Sequence, residues 1–378
     1  MQKKKILFVL HEDSQTGAPN ALLSFLKFIN AHHKNEFVID IYVLSYFGGI
    51  EKELKEICRN FYINKKRKTV FGKIAKLFSA NIESILKKNK YDLIYGNTIV
   101  TLNLLSSLKH HNNNLKTLLY VHEGKFLTDI YLDKDIAANQ FKNIDYVFAV
   151  SQASVTNLVE NYNVPKEICT IIYPTIPEES FSKDPQFVNN FKVNELALVT
   201  IGHPNLTKGT DLIPQIAHRL KEKNPTLQFK FYIVGVLQNN EYLKAIQLDI
   251  DKLHLENYIE LVPHTQTPLN YLDVANIYLI PSREDAFSLM AMHAARFQKP
   301  TIMFKNAVGA AEVLTDDCIF YANYLDINDF VTQIETIYNN PTLAKQKADK
   351  ALKSYNENLQ SAKSNELHYQ TLKNILNN

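Results

Sequence analysis

Short apolar runs alternate with amphipathic stretches from one end of this chain to the other, through two full sets. The first set lies at residues 5–10, 38–45, 91–96, 117–122, 146–151 and 169–173. The second lies at 196–202, 229–235, 258–262, 276–280, 300–304 and 318–321. Several of these runs are apolar throughout, as strands covered on both faces must be. Between them, residues 20–31, 73–88, 211–223 and 242–253 carry apolar side chains three and four apart, the spacing of a helix with one buried stripe. Strand–helix alternation of this kind implies a parallel sheet with helices on both faces. The expected fold class is therefore α/β, with two doubly wound domains facing each other across a cleft. The first is expected over residues 1–180 and the second over 190–355. Residues 177–185 are polar, begin and end in proline and lack periodicity, so they read as the connector. Residues 356–378 read as a charged C-terminal helix that could pack back on the first domain.

At 378 residues the chain is long for one core, which agrees with two domains. Its 46% apolar and 21% charged content is ordinary for a soluble globular protein. A net charge of +3 argues against a dedicated nucleic-acid binder, whose affinity rests on many phosphate contacts. Cys58, Cys169 and Cys318 are widely separated and form neither a disulfide framework nor a metal spacing, which fits a reducing cytoplasm. The start, Met1-Gln-Lys-Lys-Lys before an apolar run at 6–10, superficially resembles a signal peptide. That run falls short of the roughly 7–15 residues of a signal core. No stretch reaches the ~20 apolar residues of a membrane span. A cytoplasmic protein is expected, with peripheral contact at the inner face of the membrane left open.

The most informative segment runs from Pro281 to Ile302. It begins where an apolar strand ends, places Glu284 and Asp285 in the turn at once, and then enters a helix. Ligands of open α/β sheets sit beyond the carboxyl ends of the strands. Carboxylates there, beside a helix N-terminus, can receive a polyhydroxylated ligand together with a phosphate. Five other strand ends carry polar or small residues. After the first strand, Thr16-Gly17-Ala18 lets a ligand approach the backbone, although the turn is not G-x-G-x-x-G and could be an ordinary loop. Asn97 and the pair His122-Glu123 close two further strands. A lone histidine is more often structural than catalytic, and here both readings stay open. In the second half, Gly202-His203 leads to Lys208-Gly209, a glycine turn with a point charge suited to a diphosphate. Its spacing is not that of a nucleotide-hydrolase P-loop, and a Lys-Gly pair alone is a weak signal. Finally, Gly309 and Ala310 stand where a helix is expected to begin, and their amides could bind diphosphate oxygens. The plain alternative is a helix start that needs a small residue. The basic run Lys65-Lys66-Arg67-Lys68 suits a solvated loop or, alternatively, an acidic lipid surface or anionic acceptor.

Together these segments resemble the retaining glycosyltransferases of the GT-B fold, specifically family 4 (glycosyl transferases group 1). The resemblance runs over nearly the whole chain and is most specific in the Pro281-Ser282-Arg283-Glu284-Asp285 region. It implies two Rossmann-like domains, the first binding the acceptor and the second a sugar nucleotide. It implies a UDP- or GDP-sugar donor, a glycan or lipid-linked acceptor, no metal and no separate cofactor. Lys208 would hold the diphosphate together with the Gly309 and Ala310 amides. Asp285, with Glu284 beside it, matches the acidic position that contacts the donor sugar. His122 matches the histidine beside the transferred sugar, and Gly17 the loop near the diphosphate. Gly202 and His203, in the turn that opens the second domain, and His293 would also bind the donor, while His122, Lys208 and Asp285 would carry the catalysis.

Four positions depart from the family pattern. His293 stands where a second acid normally holds the ribose, and a histidine meets a diol less well than a bidentate carboxylate. His203 replaces an arginine, Val308 replaces a glycine, and Asp285 is one methylene shorter than the usual Glu. The expected chemistry is transfer of a hexose-type sugar to a hydroxyl with retention, in bacterial surface polysaccharide synthesis. Two rivals remain: a catalytically silent subunit of the same fold, which His203 and His293 favour, and another GT-B enzyme such as a sugar-nucleotide epimerase.

Overall fold

The computed structural model describes residues 3–64, 79–176, 181, 183–184, 187, 191–192, 194–237 and 241–377. The chain divides into two compact units: Met1–Pro177 with Gln360–Asn378, and Glu178–Leu359.

The first unit is built on an eight-stranded sheet: β1 (Lys4–Glu12), β2 (Phe37–Ser45), β3 (Asn60–Asn64), β4 (Ser79–Ala80), β5 (Leu93–Asn97), β6 (Lys116–Val121), β7 (Tyr146–Ala149) and β8 (Cys169–Ile171). Its spatial order is β4-β3-β2-β1-β5-β6-β7-β8, and every neighbouring pair is parallel. The Ile6-Leu-Phe-Val-Leu10 run of β1 is wholly buried, which only a central strand covered on both faces allows. Chain order reverses between β1 and β5, so the loops leaving these two strands part and open a crevice at their carboxyl ends. The C-terminal helix Ser361–Asn377 belongs to this unit. Its Ser364 hydroxyl donates to the Tyr173 carbonyl at 2.7 Å, and His368 stacks on Phe25 with ring centroids 3.5 Å apart.

The second unit has six parallel strands: β9 (Leu196–Ile201), β10 (Phe229–Val236), β11 (Ile259–Pro263), β12 (Ile277–Ile280), β13 (Thr301–Phe304) and β14 (Phe320–Ala322). The order β11-β10-β9-β12-β13-β14 places its reversal between β9 and β12. Helices at Ile213–Lys223, Glu241–Lys252, Leu289–Arg296 and Ile327–Asn339 cover the sheet.

All twelve anticipated strands are present, each within two residues of its expected ends. Two more, β3 and β4, extend the first sheet beyond β2. Asn60-Phe-Tyr-Ile-Asn64 opens and closes on asparagine, a residue depleted in strands, and it forms because β2 offers a parallel edge with Asp40 opposite Asn60. The helix anticipated at 73–88 needs correction over its described residues: Ser79–Ala80 pair with the β3 edge as β4, and only Ile82–Lys88 is helical, capped by Asn81. The basic run at 65–68 lies outside the described residues.

Candidate functional site

In the second unit, three loops meet at the carboxyl ends of β9, β12 and β13. Gly209 makes the meeting possible. Its backbone is left-handed (φ +63°), and a Cβ there would stand 1.9 Å from the Pro281 carbonyl oxygen. Only glycine fits so close a backbone approach. Ahead of it, Asn205 Oδ1 accepts the Thr207 hydroxyl at 2.7 Å and the Lys208 amide at 3.0 Å, which shapes the turn. The Thr207 carbonyl then accepts the amides of Arg283 (2.8 Å) and Glu284 (3.2 Å). The Arg283 guanidinium donates two 2.7 Å bonds to Asp211 and a third to the Leu206 carbonyl at 3.0 Å. Tyr242 adds its hydroxyl to Asp211. Burial pulls the Asp211 carboxyl up, but the bonds from Arg283 and Tyr242 outweigh it and hold the group below its ordinary value.

Asp285 is the centre of this arrangement. Its carboxylate accepts the Lys208 ammonium at 2.5 Å. Its amide donates to the Ala307 carbonyl at 2.8 Å, and its carbonyl accepts the Gly309 amide at 2.9 Å. The ammonium and the Gly309 loop therefore converge on one residue. The Lys208 side chain is 42% exposed and that of Asp285 only 12%, so a ligand meets the cation first.

The Gly309 and Ala310 amides, the expected holders of diphosphate oxygens, both meet carbonyl oxygens of the acidic turn. Gly309 donates to Asp285, and Ala310 donates to the Phe287 carbonyl at 3.0 Å. Gly309–Glu312 is one short 3-10 turn, so there is no α-helix N-terminus at that point. Both residues are buried, and their smallness serves this packing. The Gly202 amide is likewise engaged, with Val234. Gly202 itself has φ +147° and open space beside its Cα, and His203 after it is exposed. Glu284 is half-buried beside Asp285. His293 lies on the helix that follows the acidic turn. Burial pushes it down to about 4, so its ring is neutral at physiological pH, and its buried Nδ1 finds no partner among the described residues.

The first unit gathers a second group of polar residues at the ends of β1, β5 and β6. His122 Nε2 lies 2.9 Å from Asn97 Oδ1, and the His122 ring sits 4.0 Å from that of Tyr120. Burial drives this imidazole down to about 3. Glu123 is buried, accepts the amides of His122 (2.9 Å) and Ile99 (3.1 Å), and is pushed up by burial. At the end of β1, Glu12 binds the hydroxyls of Ser14 (2.5 Å) and Thr16 (3.1 Å). Bonding to His11 is the largest cause holding Glu12 down at about 2, against the opposing pull of burial. Gly17 opens the helix Gly17–His32 and is exposed.

Sequence reasoning named the strand ends but missed the partners that order them. The Asp211–Arg283–Tyr242 clasp and the Asn97–His122 pair both join residues far apart in the chain. One signal was available: Arg283 shares its turn with the two acids. Among the described residues, no group of three or more His, Cys, Asp or Glu is placed to hold a metal ion. No described helix is long and apolar enough to cross a membrane.

Residues 182–358, almost all of the second unit, match the family model described as Glycosyl transferases group 1. An uncharacterized glycosyltransferase of Haemophilus influenzae is 23% identical over 252 residues, or 66% of this chain and 67% of that protein. The Campylobacter jejuni N-acetylgalactosamine-N,N'-diacetylbacillosaminyl-diphospho-undecaprenol 4-alpha-N-acetylgalactosaminyltransferase is 20% identical over 268 residues, or 70% of this chain and 63% of its own length. Among solved structures, HepE of Anabaena in complex with UDP and glucose matches with a TM-score of 0.81 at 18% identity, over 98% of this chain and 100% of that one. The fold is the two-domain α/β GT-B fold, and the family match supports a glycosyltransferase.

Proposed function

We propose that this protein is a retaining, family 4 glycosyltransferase that moves a hexose-type sugar from a UDP-sugar to a hydroxyl of a lipid-linked glycan. The observation that carries the reading is the Lys208–Asp285 pair, set at the strand-order reversal of the unit that matches the glycosyltransferase model. The solved neighbour with UDP and glucose supports the choice of donor, and the undecaprenol-linked substrate in the Campylobacter relative's name supports the acceptor class. The proposed setting is bacterial surface polysaccharide synthesis on the cytoplasmic face of the membrane.

The demanding step is breaking the bond between the anomeric carbon and the diphosphate oxygen. Negative charge grows on the leaving oxygens while positive charge grows on the sugar ring. An exposed ammonium set in a rigid turn can neutralise the first without a metal ion. Asp285, with Glu284 beside it, is assigned to the sugar hydroxyls. The acceptor oxygen bonds to the anomeric carbon on the face the diphosphate leaves, and its proton passes to a departing phosphate oxygen. Incubating wild type and Lys208→Ala with UDP-sugars and a polyprenyl-diphosphate glycan tests the reading. Unchanged turnover in the variant at saturating donor rejects it.

One observation favours the rival reading of a silent subunit. The Gly309 and Ala310 amides are engaged internally, and Lys208 is already paired. Calorimetric titration with UDP and GDP separates the two, because a silent subunit gives no saturable heat.

A further inference from the structure

Asn97 ends β5, is completely buried, and spans two other elements with its side chain. Its amide nitrogen donates to the Ala18 carbonyl at 3.2 Å, in the first turn of the helix after β1. Its Oδ1 lies 2.9 Å from His122 Nε2. A carbonyl oxygen only accepts, so Ala18 dictates which end of the Asn97 amide faces it. The other end, Oδ1, must then face the imidazole, and it too only accepts. The proton therefore belongs on Nε2. Burial keeps the ring neutral, which leaves Nδ1 as a bare lone pair. Nδ1 meets no hydrogen-bond partner among the described residues. The titratable neighbours do not change this assignment. Glu123 Oε2 is occupied by the amides of His122 and Ile99, His11 faces Glu12 at 3.6 Å, and His368 Nε2 meets the Tyr95 hydroxyl at 3.1 Å.

We propose that Asn97 is a positioning residue that locks His122 in the Nε2–H tautomer and leaves Nδ1 as the ring's one open acceptor. The consequence for ligand chemistry rests on the transfer reaction proposed above. A bare nitrogen lone pair attracts a hydroxyl, which donates, and repels a phosphate oxygen, which at neutral pH only accepts. Nδ1 of His122 is thus suited to a ligand hydroxyl and not to a phosphate oxygen. The same pair explains why a strand-end asparagine is buried at all: it ties the Gly17-Ala18 turn to the histidine through one planar amide.

Long-range proton–nitrogen spectra of the ligand-free protein, labelled with nitrogen-15 at histidine, test the lock directly. The His122→Gln spectrum identifies the His122 signals by their loss. Wild type is expected to show Nε2 protonated and Nδ1 bare. Asn97→Asp keeps an acceptor and is expected to retain that pattern. In Asn97→Leu the two nitrogen shifts should draw together as the tautomers exchange, with turnover falling about tenfold or more while the donor KM stays within about threefold. If Asn97→Leu does not fold, Asn97→Ala, which also lacks the acceptor, is read in the same way. A protonated Nδ1 in wild type overturns the proposal, and so does an unaltered wild-type pattern in the variant that lacks the acceptor. Unchanged turnover in a folded, unlocked variant overturns the functional half alone. A wild type that transfers no sugar rejects the reaction and leaves the spectra to judge the lock.

Discussion

Lys208 and Asp285 lie 77 positions apart in the chain, yet the ammonium donates to the carboxylate at 2.5 Å. The pair places a cation beside an acid that partly cancels its attraction for an anion. Removing each partner should therefore give opposite binding results. Lys208→Ala should weaken UDP binding and lower turnover at saturating donor by about 10²–10³, the usual loss when one preorganised charge stabiliser is removed. Asp285→Asn should bind UDP at least as tightly as wild type and still turn over slowly. Calorimetry and initial rates on the two variants decide this. If both lose UDP affinity alike, the carboxylate does not compete for the ammonium.

Gly209 and Gly202 invite a direct comparison. Both have positive φ, but a Cβ at Gly209 would fall 1.9 Å from the Pro281 carbonyl, whereas at Gly202 nothing lies within 4 Å. Gly202→Ala should cost only the backbone strain, about 1–3 kcal/mol. Gly209→Ala must also push apart the turn that carries Lys208 and the turn that carries Asp285. Thermal melts should rank Gly209→Ala as the more destabilised, and it alone should lose UDP binding. Equal losses in both variants would mean that the close approach to Pro281 is not needed.

The Arg283 fork on Asp211 is the clasp behind both turns. Each of the two side chains is about a quarter exposed, so the bonds are partly screened from water. Arg283→Ala should cost about 1.5–3 kcal/mol, the range for hydrogen bonds to a charged group. Arg283→Lys keeps the charge but not the two parallel bonds, and it should recover less than half of the loss. Urea unfolding measures both variants, and full recovery by lysine would show that charge alone matters.

The central strands among the twelve anticipated were legible because apolar runs covered on both faces carry their own signature, independent of what lies beside them. β3 was not, because its two asparagines and five-residue length mean little without the β2 edge. The site shows the same division. Glycine and acidic residues at strand ends marked Lys208, Asp285 and His122, since topology alone decides where loops after parallel strands gather. Sequence could not indicate that the Gly309 and Ala310 amides already had carbonyl partners, nor that Asn97 would meet His122. Hydrogen-bond pairing between distant loops depends on distances of a few tenths of an ångström, and no periodicity encodes them.

Burial of neutral histidines predicts how stability follows pH. Desolvation lowers His122 to about 3 and His293 to about 4 from an ordinary 6.5, and it drives His368 well below that value. Below pH 6.5 the unfolded chain takes up a proton at each position and the folded chain does not. The unfolded state binds more protons, so stability is complete above pH 6.5 and falls as pH drops toward 4. Each histidine contributes at most about 1.4 kcal/mol per pH unit in this window. Glu12, held at about 2 against an ordinary 4.5, removes further stability only below pH 4.5. Asp13 and Glu123 are raised by burial and act the other way, losing stability as pH rises through their folded values. A single-site comparison isolates the histidine share from these carboxylates. His368→Phe keeps a ring to stack on Phe25 but loses the 3.1 Å bond with the Tyr95 hydroxyl. The variant should start less stable at pH 7.5 and then lose less than wild type between pH 7.5 and 5, since one proton-binding site of the unfolded chain is gone. Parallel stability curves for the two proteins would show that His368 is not held neutral in the fold.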